Sequence, residues 1–210
     1  MMKKVGLTMR IDVASTGEVR DALDNAWPAF LNEIGFWPIY LPNSLTMLNE
    51  DILEDMDALL LTGGNDVLDN GKSYSQERND FELRLLSQAQ TKSLPVLGIC
   101  RGAQIINVFL GGKVQEVTGH VACNHLVKHD DTQFEVNSFH DYGIHDGALA
   151  KNLSAAVHAE DGTVEGFFHM TMPWFGLMWH PERAIPNTAT HKNIVQNALS
   201  GLNPWPNLSL

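Results

Sequence analysis

The segment 94–112, LPVLGICRGAQIINVFLGG, constrains the fold of this chain more than any other part of it. Its apolar start predicts a buried strand, and the amphipathic stretch after Gly102 predicts a helix that begins where the strand ends. Glycine at positions 98 and 102 lets the chain turn sharply and the helix pack closely. The pattern predicts a strand–turn–helix unit with Cys100 at the turn, in the Gly-x-nucleophile-x-Gly arrangement of a nucleophile elbow.

The predicted position of Cys100 suits a reactive thiol. At the N-terminus of a helix, unpaired backbone N–H groups and the helix dipole favour the thiolate form of cysteine. The N–H of Arg101 is then placed to bind an oxyanion that develops on a substrate. A buried structural cysteine in a βα turn is the alternative interpretation of the same pattern.

Short apolar runs alternate with helical patterns through the first half of the chain. Strands are predicted at 4–8, 37–41, 57–62 and 94–99, and helices at 18–34, 49–56, 76–91 and 102–110. Strands at 113–117, 133–137, 155–159, 164–169 and 175–179 follow, with a last helix at 190–199. This order predicts one α/β domain over 1–210, with three layers, a mostly parallel sheet, helices on both faces and some antiparallel additions.

The charge of the chain limits its partners. With 25 acidic and 14 basic residues the net charge is −11, so broad binding of nucleic acid is not expected. The N-terminal residues lack the pattern of a signal peptide or anchor, and no run approaches the roughly 20 apolar residues of a membrane span. We expect a cytoplasmic protein without membrane contact, and the sequence leaves a homodimer open.

The segment 175–182, FGLMWHPE, predicts a base for the thiol. A strand delivers His180 at its end, and residues i and i+2 of an extended segment face the same side, so Glu182 can reach one imidazole nitrogen. The other nitrogen can face Cys100, which gives the nucleophile, base and orienting group of covalent catalysis. A strand-end histidine beside a solvated glutamate is the alternative interpretation.

The segment 59–66, LLLTGGND, places two glycines after a buried strand. Glycine allows a ligand to approach the backbone closely, so Gly64 can supply a second N–H to an oxyanion. A plain βα turn is the alternative.

The motifs GICRGAQ, TGGND and WHPE, in this order and spacing, resemble the flavodoxin-like class I glutamine amidotransferase fold, in its γ-glutamyl hydrolase or peptidase C26-like branch. The resemblance implies that Cys100 is the nucleophile, His180 the general base and acid, and Glu182 its orienting group. It also implies that the amides of Gly64 and Arg101 form the oxyanion hole.

The same resemblance implies residues that bind the glutamyl group of a small-molecule substrate. Gln104 matches the glutamyl-binding glutamine of the family. The segment VNSFH at 136–140 matches the one that holds the α-amino and α-carboxylate groups, and it contains Asn137, Ser138, Phe139 and His140.

Further motifs are similar to those of the γ-glutamyl-CDP-amidate hydrolases of bacterial capsule biosynthesis, namely T-x-R at 8–10, R-x-D-x-E at 78–82 and GLMWHPER at 176–183. The implied reaction is the hydrolysis of a γ-glutamyl amide with release of glutamate, which requires no cofactor. The alternatives are a γ-glutamyl-GABA-type hydrolase, the glutaminase subunit of a two-chain amidotransferase, and a non-catalytic or redox-sensing relative.

Two groups of residues remain outside these motifs. Arg10, Arg78 and Arg101 are candidates to meet a pyrophosphate at the end of the sheet, the alternative being surface arginines paired with carboxylates. Histidines lie in the polar stretch 120–129 beside Cys123, and we interpret this stretch as a loop that covers the substrate. A zinc site is the alternative, but we expect no metal. The histidines are His120, His125 and His129.

Overall fold

A computed structural model describes residues 2–48, 52–68 and 75–205. The first strands are β1 (Lys3–Thr8), β2 (Arg10–Val13), β3 (Val19–Ala22), β4 (Phe36–Leu41), β5 (Ala58–Leu61) and β6 (Val96–Ile99). The later strands are β7 (Gln115–Glu116), β8 (Val121–His129), β9 (Thr132–Phe139), β10 (Tyr142–Gly143), β11 (Leu153–Ala159), β12 (Val164–His169) and β13 (Trp174–Leu177). The helices are α1 (Ala26–Glu33), α2 (Ser75–Lys92), α3 (Arg101–Phe109) and α4 (Thr188–Leu199).

Nine strands form the central sheet, in the order β4-β1-β5-β6-β13-β12-β11-β8-β9. The strands from β4 to β13 in this order pair in parallel, and the remaining four are antiparallel. Because parallel strands end at the same edge, the turns after β1, β5, β6 and β13 meet there. Those turns carry the motifs that the sequence singled out.

Alternate residues of the strands face two separate cores. In β5, Ala58 and Leu60 pack with α1 and α4, whereas Leu59 and Leu61 pack with α2 and α3. This alternation is expected of a strand buried on both faces, because successive side chains point to opposite sides. The predicted three-layer α/β fold with helices on both faces is therefore confirmed.

The helix predicted at 18–34 is wrong in its first half. Residues 19–22 form β3, which pairs with β2 as a hairpin, and the helix begins only at Ala26. Pro28 then lies in the first helical turn, where its missing N–H costs nothing because that group has no acceptor inside the helix. The apolar residues at helical spacing across 18–34 therefore belong to two different elements, β3 and α1.

Two other predictions of local structure need correction. The stretch 120–129 is not a loop, because residues 121–129 form β8 and pair with β9 over its length. Half of its side chains face solvent, which explains why its composition is polar. Of the helix predicted at 49–56, residues 49–51 lie outside the described residues and 52–55 form turns.

A buried network of charges joins α2 to the two turns that follow β5 and β6. The Glu82 carboxylate is fully buried and pairs with Arg78 (Nε–Oε1, 3.0 Å) and with Nη1 of Arg101. Arg101 also donates from Nη2 to Oδ1 of Asn79 at 2.6 Å. Burial raises the pKa of Glu82, but the charges of Arg101 and Arg78 outweigh it and lower the pKa below its usual value.

Arg78 holds the turn after β5 through its carbonyl groups. Its guanidinium donates to the backbone oxygens of Thr62 (2.7 Å), Gly63 (3.0 Å) and Gly64 (2.6 Å). Burial, together with the charge of Arg101, lowers the pKa of Arg78 to about 10, so the group stays protonated at neutral pH. The prediction that Arg78 and Arg101 meet a pyrophosphate is wrong, since both side chains are buried and bound to protein groups.

Replacing Arg78 by Met should destabilise the fold by about 3–5 kcal/mol, because Glu82 would remain buried with one partner fewer. The matched control is Arg84→Met, an exposed arginine on the same helix, for which we expect a change within about 0.5 kcal/mol. Urea unfolding measures both values. Equal midpoints for the two variants would contradict the structural role of Arg78.

Candidate active site

Cys100 occupies a strained turn between β6 and α3. Its φ of 52° and ψ of −107° are unusual for a residue other than glycine. A Cβ atom on Gly98 would lie 2.3 Å from the Gly102 oxygen, and one on Gly102 would lie 2.0 Å from the Leu61 oxygen. Both positions therefore exclude any side chain, and the tight turn predicted from the two glycines is present.

Hydrogen bonds fix the segments that carry the cysteine and the histidine relative to each other. The N–H of Cys100 donates to the Leu177 oxygen of β13 at 2.7 Å. The side chain of Asn137, on β9, accepts from the His180 N–H (2.8 Å) and donates to the His180 oxygen (2.9 Å). The backbone of His180 is thus bound on both sides by one amide.

The side chains of Cys100, His180 and Glu182 lie next to one another. His180 Nδ1 lies 2.7 Å from Glu182 Oε1, and Cys100 is close enough to the imidazole to help raise its pKa. A Cβ atom on Gly63 would lie 2.7 Å from His180 Cε1 and 3.6 Å from Cys100 Cβ. Only glycine at position 63 leaves room for this contact, so the TGG turn lies directly against the cysteine and histidine.

The environment of His180 favours its protonated form. Burial by itself would lower the pKa of this histidine, but the hydrogen bonds and negative charges of Cys100 and Glu182 raise it to about 9. A histidine with this pKa carries a proton at neutral pH, beside Cys100 and the Glu182 carboxylate. The arrangement places an acid next to a candidate nucleophile.

Gly64 and Arg101, whose backbone N–H groups the sequence predicts to bind an oxyanion, line one cavity together with Cys100. Arg101 is the first residue of α3, so its N–H has no acceptor within the helix. Gly64 has a φ of 86°, in the left-handed region that glycine adopts readily, and Arg78 binds its carbonyl oxygen. Its backbone is therefore held in a conformation that most residues avoid.

Two cavities open on either side of Gly64, which lines both. The cysteine cavity has a volume of about 170 Å³ and is lined by Cys100, Gln104 and Phe139 among others. The arginine cavity has a volume of about 280 Å³, and its lining includes His180 and Glu182 together with four further charged residues. These four residues are Arg10, Asp12, Asp24 and Arg183.

The other predicted site residues differ in what their side chains contact. Gln104 lines the cysteine cavity and donates to the Tyr142 oxygen at 2.7 Å. Phe139 lines the same cavity and packs edge-on against His180, with ring centroids 5.7 Å apart. Ser138 is buried and donates to the His120 oxygen at 2.6 Å, so its side chain, like that of Asn137, supports the backbone.

Arg10 and Arg183 supply the cations of the arginine cavity. Arg183 was not among the site residues predicted from the sequence. Arg10 is half-exposed and pairs with Asp12 at 2.7 Å. Arg183 pairs with Asp24 at 3.3 Å, and its guanidinium carbon lies 4.6 Å from the Phe139 ring centroid. The sequence offered one signal for Arg183: it directly follows Glu182, so it lies near the site if Glu182 does.

Comparison with known proteins identifies a matching family and relatives of this chain. Residues 4–131 and 121–182 match the Peptidase C26 family model. The chain is similar to the γ-glutamyl-CDP-amidate hydrolase of Campylobacter jejuni, with 30% identity over 184 residues that cover 85% of this chain and 90% of that one. Both findings confirm the resemblance drawn from the motifs.

Solved structures with low sequence identity share the fold. A Thermoplasma acidophilum protein assigned to GMP synthase has a TM-score of 0.72 and 21% identity, covering 96% of this chain and 94% of that one. A glutamine amidotransferase of Thermotoga maritima has a TM-score of 0.66 and 17% identity, covering 93% and 80%. Among the described residues, no helix combines the length and apolar composition that crossing a bilayer takes.

Glu182→Gln should lower the pKa of His180, because the carboxylate is one of the groups that raise it. A pKa raised from 6.5 to about 9 means that protonated His180 stabilises the fold fully below pH 6.5 and that this contribution is lost as pH rises to about 9. NMR titration of the His180 ring measures the pKa, and unfolding at several pH values measures the stability.

The control for this titration is Glu160→Gln, in the exposed turn between β11 and β12, which should leave the His180 midpoint unchanged. An unchanged midpoint in Glu182→Gln itself would show that this carboxylate does not hold the imidazolium.

Proposed function

The chain belongs to the Peptidase C26 family, and we propose that it is a cysteine-dependent hydrolase of γ-glutamyl amides. The observation that carries this proposal is the buried series of Cys100, His180 and Glu182, set on a nucleophile elbow beside the TGG turn. In this assignment Cys100 is the nucleophile, His180 the acid and base, and Glu182 the group that orients the imidazole.

The reaction runs in two steps. The Cys100 thiolate attacks the γ-carbonyl carbon, and the amides of Gly64 and Arg101 bind the oxyanion that forms. The tetrahedral intermediate collapses, the carbon–nitrogen bond breaks, and His180 gives its proton to the leaving nitrogen. His180 then takes a proton from water, whose oxygen attacks the thioester carbon, and glutamate leaves with the thiolate restored.

The two cavities divide the substrate at the bond that breaks. The cysteine cavity takes the glutamyl group, because it contains Cys100 and the polar side chains of Gln104 and Asp141. The arginine cavity takes the leaving group, because His180, which protonates it, lines that side. Gly64 lies between them, where the carbonyl of the scissile amide has to sit for its oxygen to reach the Gly64 and Arg101 amides.

We further propose that the leaving group is a cytidine diphosphoramidate, so that the nitrogen of the scissile amide carries phosphorus. The similarity to γ-glutamyl-CDP-amidate hydrolase supports this substrate, and so do Arg10 and Arg183 at one cavity. Guanidinium groups bind phosphate oxygens through paired hydrogen bonds. Binding would draw the two arginines away from Asp12 and Asp24, with which each is now paired.

Two other leaving groups make different demands on the arginine cavity. A γ-glutamyl-GABA-type substrate carries one carboxylate in place of a pyrophosphate, so one arginine is enough. Free glutamine, the substrate of a glutaminase subunit, releases ammonia and needs neither arginine. The effect of removing each arginine therefore separates the three assignments.

Replacing Cys100 by Ala should reduce glutamate release by roughly 10⁴-fold or more, because no other group can form the thioester. Cys100→Ser should be nearly as inactive, since a hydroxyl is far less acidic than a thiol. A coupled glutamate assay measures the rates, and circular dichroism verifies that both variants fold. Substantial turnover by folded Cys100→Ala would disprove the covalent mechanism.

Arg10→Ala and Arg183→Ala should each lower kcat/KM for a γ-glutamyl nucleotide by about 10- to 100-fold, the loss of one charge-assisted contact. Hydrolysis of a neutral γ-glutamyl anilide should barely change, because that leaving group has no phosphate. Arg20→Ala, an exposed arginine on β3 paired with Glu18, serves as the matched control.

Three results would contradict the nucleotide assignment. Equal losses on both substrates would give the arginines a structural role. Efficient hydrolysis of γ-glutamyl-GABA without activity on the nucleotide would favour the broader hydrolase branch. Efficient glutaminase activity that neither arginine variant alters would favour a glutaminase subunit.

A further inference from the structure

Three histidines and one glutamate converge beside the cysteine cavity, outside the residues that the proposed reaction uses for proton transfer. His120 precedes β8, His125 lies on β8, His140 follows β9 and Glu165 lies on β12. His120 and His140 are each 3% exposed and Glu165 is 0% exposed. Polar side-chain atoms that are buried from water normally have a hydrogen-bond partner, so the atoms at the centre of this cluster are expected to have one.

The inward-facing atoms of this cluster have no hydrogen-bond partner within the described part of the chain. They are His120 Nδ1, His125 Nε2, His140 Nε2 and both carboxylate oxygens of Glu165. The nitrogen–oxygen distances from the three histidines to Glu165 are 3.5, 3.6 and 3.4 Å, respectively. These distances exceed the range of about 2.7–3.2 Å that an N–H···O hydrogen bond takes.

The outward nitrogens of two histidines identify where their hydrogens are. His120 Nε2 lies 2.9 Å from Asp161 Oδ2, and His140 Nδ1 lies 3.0 Å from the Tyr142 oxygen. A carboxylate and a carbonyl only accept hydrogen bonds, so both outward nitrogens are N–H donors. When these two rings are neutral, His120 Nδ1 and His140 Nε2 therefore point lone pairs at the negative Glu165 carboxylate. The nitrogen lone pairs and the carboxylate repel each other unless a cation lies between them.

The distances between the histidine nitrogens and the Glu165 oxygens favour a metal ion, rather than protons on the histidines, as that cation. Protonated histidines would form charge-assisted hydrogen bonds to the carboxylate, with nitrogen–oxygen distances of about 2.7–2.9 Å. Ligand atoms about 2.0–2.1 Å from a tetrahedral zinc ion lie roughly 3.3–3.4 Å from one another. His120 Nδ1 and His140 Nε2 lie 3.5 and 3.4 Å from the same Glu165 oxygen, Oε1, which is near the second value. His125 Nε2 approaches the other oxygen, Oε2, and lies outside this set of ligands.

We propose that His120, His140 and Glu165, whose ligand atoms all lie within 4.8 Å of one another, bind one Zn²⁺ ion. Imidazole nitrogens with one carboxylate suit zinc, and three protein ligands leave the fourth position of a tetrahedral ion for water. Asp161 and the Tyr142 carbonyl orient two of the ligands, as outer partners of metal-bound histidines do. Such an ion would tie β8, β9 and β12 together behind the cysteine cavity, whose wall includes His140.

This site differs from the one that the sequence suggested. The zinc alternative there combined His120 and His125 with His129 and Cys123. His129 Nδ1 instead lies 2.8 Å from the Ala156 oxygen, and Cys123 Sγ lies 3.0 Å from the Gly119 oxygen. The proposal therefore also replaces the expectation that the chain binds no metal.

The test uses the untagged full-length chain, stripped of metal with EDTA and titrated with ZnCl₂ against a chromophoric chelator. We expect one zinc per chain, a higher melting temperature in its presence, and affinity at least about 100-fold weaker in Glu165→Gln and His140→Ala. His158→Ala, a partly exposed histidine on β11 paired with Asp146, is the matched control and should bind as the unmodified chain does.

Two further measurements keep the outcome decisive. Cys100→Ala should still bind one zinc, which distinguishes this site from adventitious binding at the thiolate. His140→Ala keeps the Glu165 carboxylate and removes one zinc ligand, so it tests the site even if Glu165→Gln does not fold. Failure of the unmodified chain to bind one zinc at micromolar free metal, full affinity in folded His140→Ala, or loss of zinc in Cys100→Ala would overturn the proposal.

Discussion

The buried carboxylate of Glu82, held between two arginines, is the interaction on which the geometry of the site depends. Taking three charges out of water is costly, and the cost is offset only where each group is fully bound. Arg78 meets this condition by binding three carbonyl groups of the TGG turn. Arg101 meets it in part, because it binds Glu82 and Asn79 while its Nε has no partner among the described residues. One carboxylate on α2 therefore sets both the turn that carries Gly64 and the start of α3.

The two halves of the sheet make different contributions to the site. The parallel half brings the turns after β5 and β6 to one edge, as ligand sites of open α/β sheets require. The antiparallel half supplies supports from the side: Asn137 fixes the backbone of His180, and Phe139 packs against its ring. A histidine that follows a strand end by three residues would otherwise have little to hold its orientation.

Sequence reasoning succeeded where the signal was local. The elbow around Cys100 was predictable because close packing of strand on helix excludes side chains at two glycines, and the parallel strands because each is a continuous apolar run. It failed where contacts join distant segments. Arg78 was a candidate to meet a pyrophosphate, with a surface cation as the alternative; Glu82 is its i+4 neighbour, but no local pattern reveals that the TGG turn encloses it. The grouping of Glu165 with His120 likewise depends on sheet pairing that no short motif records.

In the proposed placement of the substrate, Gly64 separates the acyl half from the leaving group, because it lines both cavities. The rest of each lining comes from different stretches of the chain. On this proposal, substitutions in β2 or in the residues after His180 alter which amines are released and leave the acyl cavity and Cys100 unchanged. The choice of leaving group and the chemistry of the acyl transfer can then change independently.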